Sequence, residues 1–194
     1  MKWKRQEFRR QSISITDDGQ ITLCTSMFFL LFLGVLLLCY FQMELIRSSG
    51  RYLEDALAAS GLASALIDVR EYGRSHVVRI MDDEDVYARY CNALKENLGL
   101  DDAWQCENRK LISGCVKVEN YTIYNVTGNV VESCRMDGGK RETVTGRKGE
   151  VRSPNGKLVE KTGVYGEISY TLLGLFGMEI PARKGKLVDV VGEE

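Results

Sequence analysis

The chain has 194 residues, 26 Lys and Arg against 27 Asp and Glu, and a formal net charge of −1. A near-neutral balance excludes nucleic-acid binding by bulk charge. With His76 as the single histidine, histidine-rich metal sites and a serine–histidine triad have little to draw on, and no catalytic residue, metal or cofactor is expected.

The charge is not evenly spread. Residues 1–19 carry a net +2, with Lys2, Lys4, Arg5, Arg9 and Arg10 against three acids, and the remainder carries −3. From Gly19 through Met43 there is no Asp, Glu, Lys or Arg, and Met27–Phe41 is apolar throughout. About 20 apolar residues at roughly 1.5 Å each match a hydrocarbon core of about 30 Å, and a helix satisfies its own backbone polar groups there. Residues 20–43 therefore read as a transmembrane helix in contact with the lipid bilayer. The basic flank lies upstream, with only Arg47 and Arg51 close behind, so the positive-inside rule places the N-terminus in the cytoplasm and the rest of a single-pass chain outside the cell membrane. A cleaved secretory signal would need a shorter apolar core and a nearby small-residue site, and Ser48-Ser49-Gly50 lies too far downstream.

Helical spacing continues past the membrane. Glu44–Val69 has no proline, and Leu45, Ser49, Tyr52, Ala56, Ala59, Ala63 and Leu66 recur at about 3.5 residues. Helix from about Gln20 to Val69 would be about 75 Å long. The small-residue face suits either packing on the chain's own domain or close approach of helices from neighbouring copies.

Arg70–Asp85 is charged and glycine-punctuated. Helical spacing then resumes over Glu84–Leu98, with Gly99 as its stop. Of the 19 glycines, 13 lie beyond residue 100, where alternation replaces helical spacing. Strands are expected around Val116–Val126 and Val130–Met136, joined by Gly128-Asn129, and again over Gly163–Leu175 and Glu179–Val191. Gly138–Lys157 is polar and basic and reads as an exposed loop or long hairpin closed by Ser153-Pro154-Asn155-Gly156. Its charges, Lys140, Arg141, Arg147, Lys148, Arg152 and Lys157, suit a solvated loop better than a contact with acidic surface polymer. The fold class is thus α+β: one long N-terminal helix, a short helix and a small antiparallel β-rich domain. The divisions are a leader (1–19), the membrane helix (20–43), its extracellular continuation (44–69) and an extracellular α+β domain (70–194).

Four cysteines, Cys91, Cys106, Cys115 and Cys134, fall in the part placed outside. An even number there suggests disulfides, and spacings of 15, 9 and 19 residues without a C-x-x-C argue against zinc. Asp82–Asp85 lacks a calcium-loop pattern and reads as an acidic, solvated helix start. His76 reads as a surface histidine. Asn120 and Asn125 begin glycosylation-type triplets of the sort that arise by chance in strands.

The order of features resembles type IV pilin-like proteins, and within them the TadE-like pseudopilins of tight-adherence (Tad/Flp) pilus systems. The residues that carry the likeness are Asp18-Gly19-Gln20-Ile21-Thr22, the apolar run to Phe41, and Glu44–Tyr72; it covers residues 1–73 well and the remainder only in architecture. It implies cleavage by a prepilin peptidase between Gly19 and Gln20, and a non-catalytic minor subunit contributing to assembly of a Tad-type pilus or related secretion apparatus. The implied partners are other pilin-like subunits and the membrane assembly platform, with no nucleic acid. Such pilins usually carry a glutamate five residues into the mature chain; counted from Gln20, that position here is Cys24. The alternative is an uncleaved single-pass anchor presenting a disulfide-stabilised extracellular binding module.

Overall fold

The computed structural model describes residues 4–106, 112–137, 140–174 and 177–190, with side chains from residue 19 onward apart from that of residue 137. The element order is α1 (Lys4–Ser64), α2 (Val69–Ser75), α3 (Val86–Leu98), β1 (Ile112–Thr127), β2 (Val130–Asp137), β3 (Lys140–Arg147), β4 (Gly163–Leu173) and β5 (Glu179–Asp189). The fold is α+β. The chain divides into two units, residues 1–45 and residues 46–194.

The second unit is built on one five-stranded antiparallel sheet in the order β3-β2-β1-β4-β5. The β1–β2 hairpin closes at Gly128, whose φ of 58° lies in the left-handed region that favours glycine. It sets Tyr121 opposite Met136 and Ile123 opposite Cys134. On one face lie α3 and the C-terminal stretch of α1. Leu53, Ala56 and Leu57 of α1 and Val86, Tyr90, Leu94 and Leu98 of α3 join Tyr121, Ile123, Cys134, Val164 and Ile168 in the main core. The other face has a smaller core of Tyr124, Val131, Tyr165 and Leu187, capped by Val159 from the β3–β4 connection.

Both faces use an aromatic ring laid over a glycine. A Cβ at Gly166 on β4 would meet Tyr90 at its hydroxyl and at Cζ, 2.9 Å away, and a Cβ at Gly185 on β5 would meet the Tyr165 hydroxyl and its Cζ at 2.8 Å. The missing side chains are what let these buried rings lie flush on the sheet.

Three sequence expectations are corrected. The long helix ends at Ser64, not Val69: Ile67 bridges Ile80, and Asp68 accepts from the backbone N–H of Arg70 (3.0 Å) and Glu71 (3.1 Å) to start α2. Gly138–Lys157, expected as an exposed loop or a long hairpin closed by Ser153-Pro154-Asn155-Gly156, instead contributes Lys140–Arg147 as strand β3, paired with the preceding β2 in register from Val130–Arg147 to Asp137–Lys140. Its charges are tolerated because it is an edge strand with both faces largely open. The remaining turn forms as read, with Gly156 N–H donating to Ser153 O (2.8 Å) and φ of 83° at Gly156. The third correction concerns the cysteines, below. The short helix, its Gly99 stop at φ 60°, and strands β4 and β5 lie where the sequence places them.

Candidate functional site: the N-terminal helix and its packing

Within the first unit, the segment from Gly19 to Phe41 has nothing to bury it. Its large apolar side chains are all exposed, Phe28 most of all at 78%. Contiguous exposed apolar surface of this size is not sustained in water and marks contact with a membrane or a partner. Among the described residues, this is the one helix long and apolar enough to cross a membrane, and it can serve as a single-pass anchor. The cleavage-site candidates Gly19 and Gln20 are helical and exposed at the start of this stretch, and Cys24, four residues on from Gln20, is exposed as well.

In the second unit, the face read from sequence divides. Ser49 and Ala56 are buried, together with Leu53, Leu57, Ser60 and Ser64, along a 3.6-residue stripe that packs on the chain's own domain. Tyr52, Ala59 and Ala63 are exposed and form a flank beside that stripe; Leu66 is exposed beyond the end of α1, and Leu45 is exposed at the end of the first unit. The buried stripe is held by polar contacts at its small residues. The Ser64 hydroxyl lies 2.9 Å from that of Tyr121, and Asn97 Nδ2 donates to Ser60 Oγ at 3.0 Å. From the flank, the Tyr52 hydroxyl donates to Asn97 O at 2.6 Å. Glu54 completes the attachment by pairing with Lys184 (2.5 Å) and Lys186 (3.4 Å) on β5. The Lys184 hydrogen bond holds the Glu54 carboxyl below its ordinary range, against a smaller opposing effect of burial. Sequence reading missed Leu53, Leu57 and Ser60, although their 3.6-residue spacing from Ser49 was there to be followed.

No disulfide links the six cysteines, all of which lie among the described residues. The geometry explains why pairing fails for those on the sheet. Cys134 lies opposite Ile123 and points into the main core, whereas Cys115 sits eight residues back along β1, roughly 20 Å or more away at the strand rise. Bridging needs Cα atoms within about 7 Å. Cys106 follows Gln105, the residue that bridges Cys115; it packs toward the core while Cys115 is exposed, so their side chains diverge. Burial pushes the Cys91 and Cys134 thiols up.

The other sequence candidates have structural duties. Asp82 pairs with Arg141, and Asp83 with Arg89 at 2.8 Å, so the acidic helix start is neutralised by arginines and not simply solvated. His76 ends α2 at φ 55° with its ring edge-on to Tyr72. Asn125 is buried, accepting from Ile80 N–H (2.8 Å) and donating to Ile80 O (3.1 Å), and buried Asn120 accepts from Thr122 Oγ1 at 2.8 Å. Neither side chain has room for a glycan.

No family model, curated protein or solved structure matches the chain.

Proposed function

We propose that the chain is a non-catalytic, membrane-anchored, pilin-like (TadE-like) minor subunit that contributes to assembly of a Tad-type pilus or a related secretion apparatus. The observation that carries this reading is the division of labour along α1. A charge-free, exposed apolar stretch begins at Gly19, and the following stretch docks through Ser49, Leu53, Ala56, Leu57 and Ser60 on an antiparallel sheet while keeping a flank exposed at Tyr52, Ala59 and Ala63. That flank is the surface on which other pilin-like subunits or the assembly platform would pack. The basic leader sets the N-terminus in the cytoplasm and the α+β domain outside, and the prepilin peptidase cuts between Gly19 and Gln20.

Mass spectrometry of the chain recovered from membranes of a host carrying the peptidase tests this. A mature chain beginning at Gln20, lost in Gly19→Ala, is the expected result; an intact Met1 in both refutes processing. A second reading, an uncleaved single-pass anchor presenting a binding module, is favoured by Cys24, which supplies no carboxylate at the position where pilins carry one. In that reading the module is stabilised by its sheet and two cores, since its cysteines are free.

A further inference from the structure

The two edges of the sheet differ. On β5, Pro181 has no amide to donate, and Lys184 and Lys186 are engaged by Glu54 of α1. On β3, eight residues without proline or bulge run in unbroken register with β2, and none is buried. Val144 at its centre is 55% exposed. Among the described residues no strand pairs with the outer side of β3, and neither Lys140 nor Arg147 takes part in an ion pair. Beside this edge, on the helix-covered face, lies a cavity of about 460 Å³ lined by Tyr87, Ala88 and Met136 on its apolar side and by Asp83, Glu84, Lys140 and Arg141 on its polar side. The cross-strand row Tyr121–Met136–Arg141 leads to it, so the next side chain in that row would be one contributed by a strand added at β3.

We propose that β3 is a docking edge for an extended acidic segment of another polypeptide, added antiparallel to it. Main-chain hydrogen bonds supply the pairing, and a large apolar side chain opposite Arg141 turns into the cavity, which is how strand addition gains specificity. Carboxylates opposite Lys140 and Arg147 complete the match. A second copy of this chain offers no such match: the two-fold self-pairing centred on Val144 sets Arg141 opposite Arg147 twice, and like charges directly opposite are destabilising, while the equally long one centred on Thr143 sets Lys140 opposite Gly146 and Arg141 opposite Thr145 and so gives no cation a carboxylate. Lys140 and Arg147 thus find partners on an acidic strand and not on a copy of the chain. The edge belongs to the α+β domain alone, so its behaviour is separable from leader processing.

The test uses the full chain in nanodiscs and a fluorescent, end-capped peptide, Asp-Thr-Thr-Val-Thr-Thr-Phe-Glu, which sets Asp opposite Arg147, Phe opposite Arg141 and Glu opposite Lys140. Anisotropy should show saturable binding, about tenfold tighter than for the same peptide with Lys in place of Asp and Glu, weakened several-fold when Ser replaces Phe. The double variant Lys140→Glu/Arg147→Glu should reverse the charge preference, and amide exchange of Val144 and Thr145 should slow on binding. Absence of saturable binding at millimolar peptide, equal affinity for the acidic and basic peptides, unchanged exchange in β3, or a dimer of the chain crosslinked through β3 would each overturn the proposal. The peptide charge swap keeps it falsifiable should the double variant fail to fold.

Discussion

Gly166 is the position where a single methyl group should cost most. Tyr90 is fully buried and stacks on Tyr121 with ring centroids 4.5 Å apart and planes inclined by 34°, so its ring cannot swing away without disturbing the centre of the core. In Gly166→Ala the new Cβ would lie 2.9 Å from Tyr90 Cζ and 3.2 Å from Cε2, well inside the roughly 3.5–4.0 Å of a normal carbon contact. Overpacking of this kind costs about 1–3 kcal/mol, offset by about 0.5 kcal/mol from the lower chain entropy of alanine. With a urea m-value of about 2 kcal/mol per molar, near-UV circular dichroism of the full chain in detergent should show the domain midpoint about 1 M lower. Among the described residues the Tyr90 hydroxyl has no hydrogen-bond partner, and burial holds its pKa well above the ordinary phenol value. Tyr90→Phe should therefore raise stability by about 1 kcal/mol and, in the double variant, recover part of the loss by removing the atom nearest the new methyl. A Gly166→Ala midpoint within 0.2 M of the parent, or a Tyr90→Phe variant that is clearly less stable, would refute the ring-on-glycine account.

Other perturbations probe separate parts of the domain. Asn125→Ala strips both backbone partners from the buried Ile80 peptide groups and should cost about 2–3 kcal/mol in the same unfolding assay. Because the folded Glu54 carboxyl lies below its unfolded value of about 4.3, its stabilisation is fully present above that pH and is lost as pH falls through the lower, folded value. The group is about one-third exposed, so screening keeps the effect under about 1 kcal/mol, and Glu54→Gln should flatten the pH dependence between 3 and 5. Of the four cysteines of the α+β domain, native alkylation should label exposed Cys115 first and Cys134, 2% exposed with a raised thiol pKa, last; after unfolding without reductant, all four should react, and a protected pair would contradict the absence of disulfides. Ala59→Trp should leave the unfolding midpoint within about 0.3 M, whereas Ser60→Trp, one residue on and fully buried, should collapse the docking of α1.

Much of this architecture is written in local chemistry. The Gly128 hairpin and the Gly99 stop each need φ > 0, and glycine supplies it in sequence as in structure. The parts that escaped reading depend on long-range partners. Lys140–Arg147 has the composition of a loop; only the neighbouring β2 gives its Thr143, Val144 and Thr145 a ladder to join. Helix α1 stops at Ser64 because Ile67 finds Ile80 and because Asp68 is committed as a cap, and nothing within Ala65–Val69 forbids helix on propensity alone. The buried face was missed for a geometric reason: a 3.5-residue repeat drifts about 20° per heptad from a straight helix, so a stripe begun at Leu45 slides off Leu53, Leu57 and Ser60 and onto Tyr52, Ala59 and Ala63. The cysteines were misread by counting, since an even number says nothing of whether Cys115 and Cys134 are within reach along β1.

The division of α1 also shows which of its small residues the chain's own domain uses. Ser49, Ala56, Ser60 and Ser64 are consumed by the chain's own sheet, and Gly61 lies there too, where an added Cβ would touch Val164 and Val188 at ordinary contact distances of 3.8 and 3.9 Å. Their smallness is therefore explained without any neighbour, because a helix must come close to the sheet for Leu53 and Leu57 to reach the main core. What the domain leaves uncovered is the Tyr52, Ala59, Ala63 flank, which is small toward its C-terminal end and fixed at its N-terminal end by the Tyr52–Asn97 hydrogen bond. A partner helix laid along it would meet a surface already ordered by the domain, so its binding would not have to bear the entropy of ordering that part of α1.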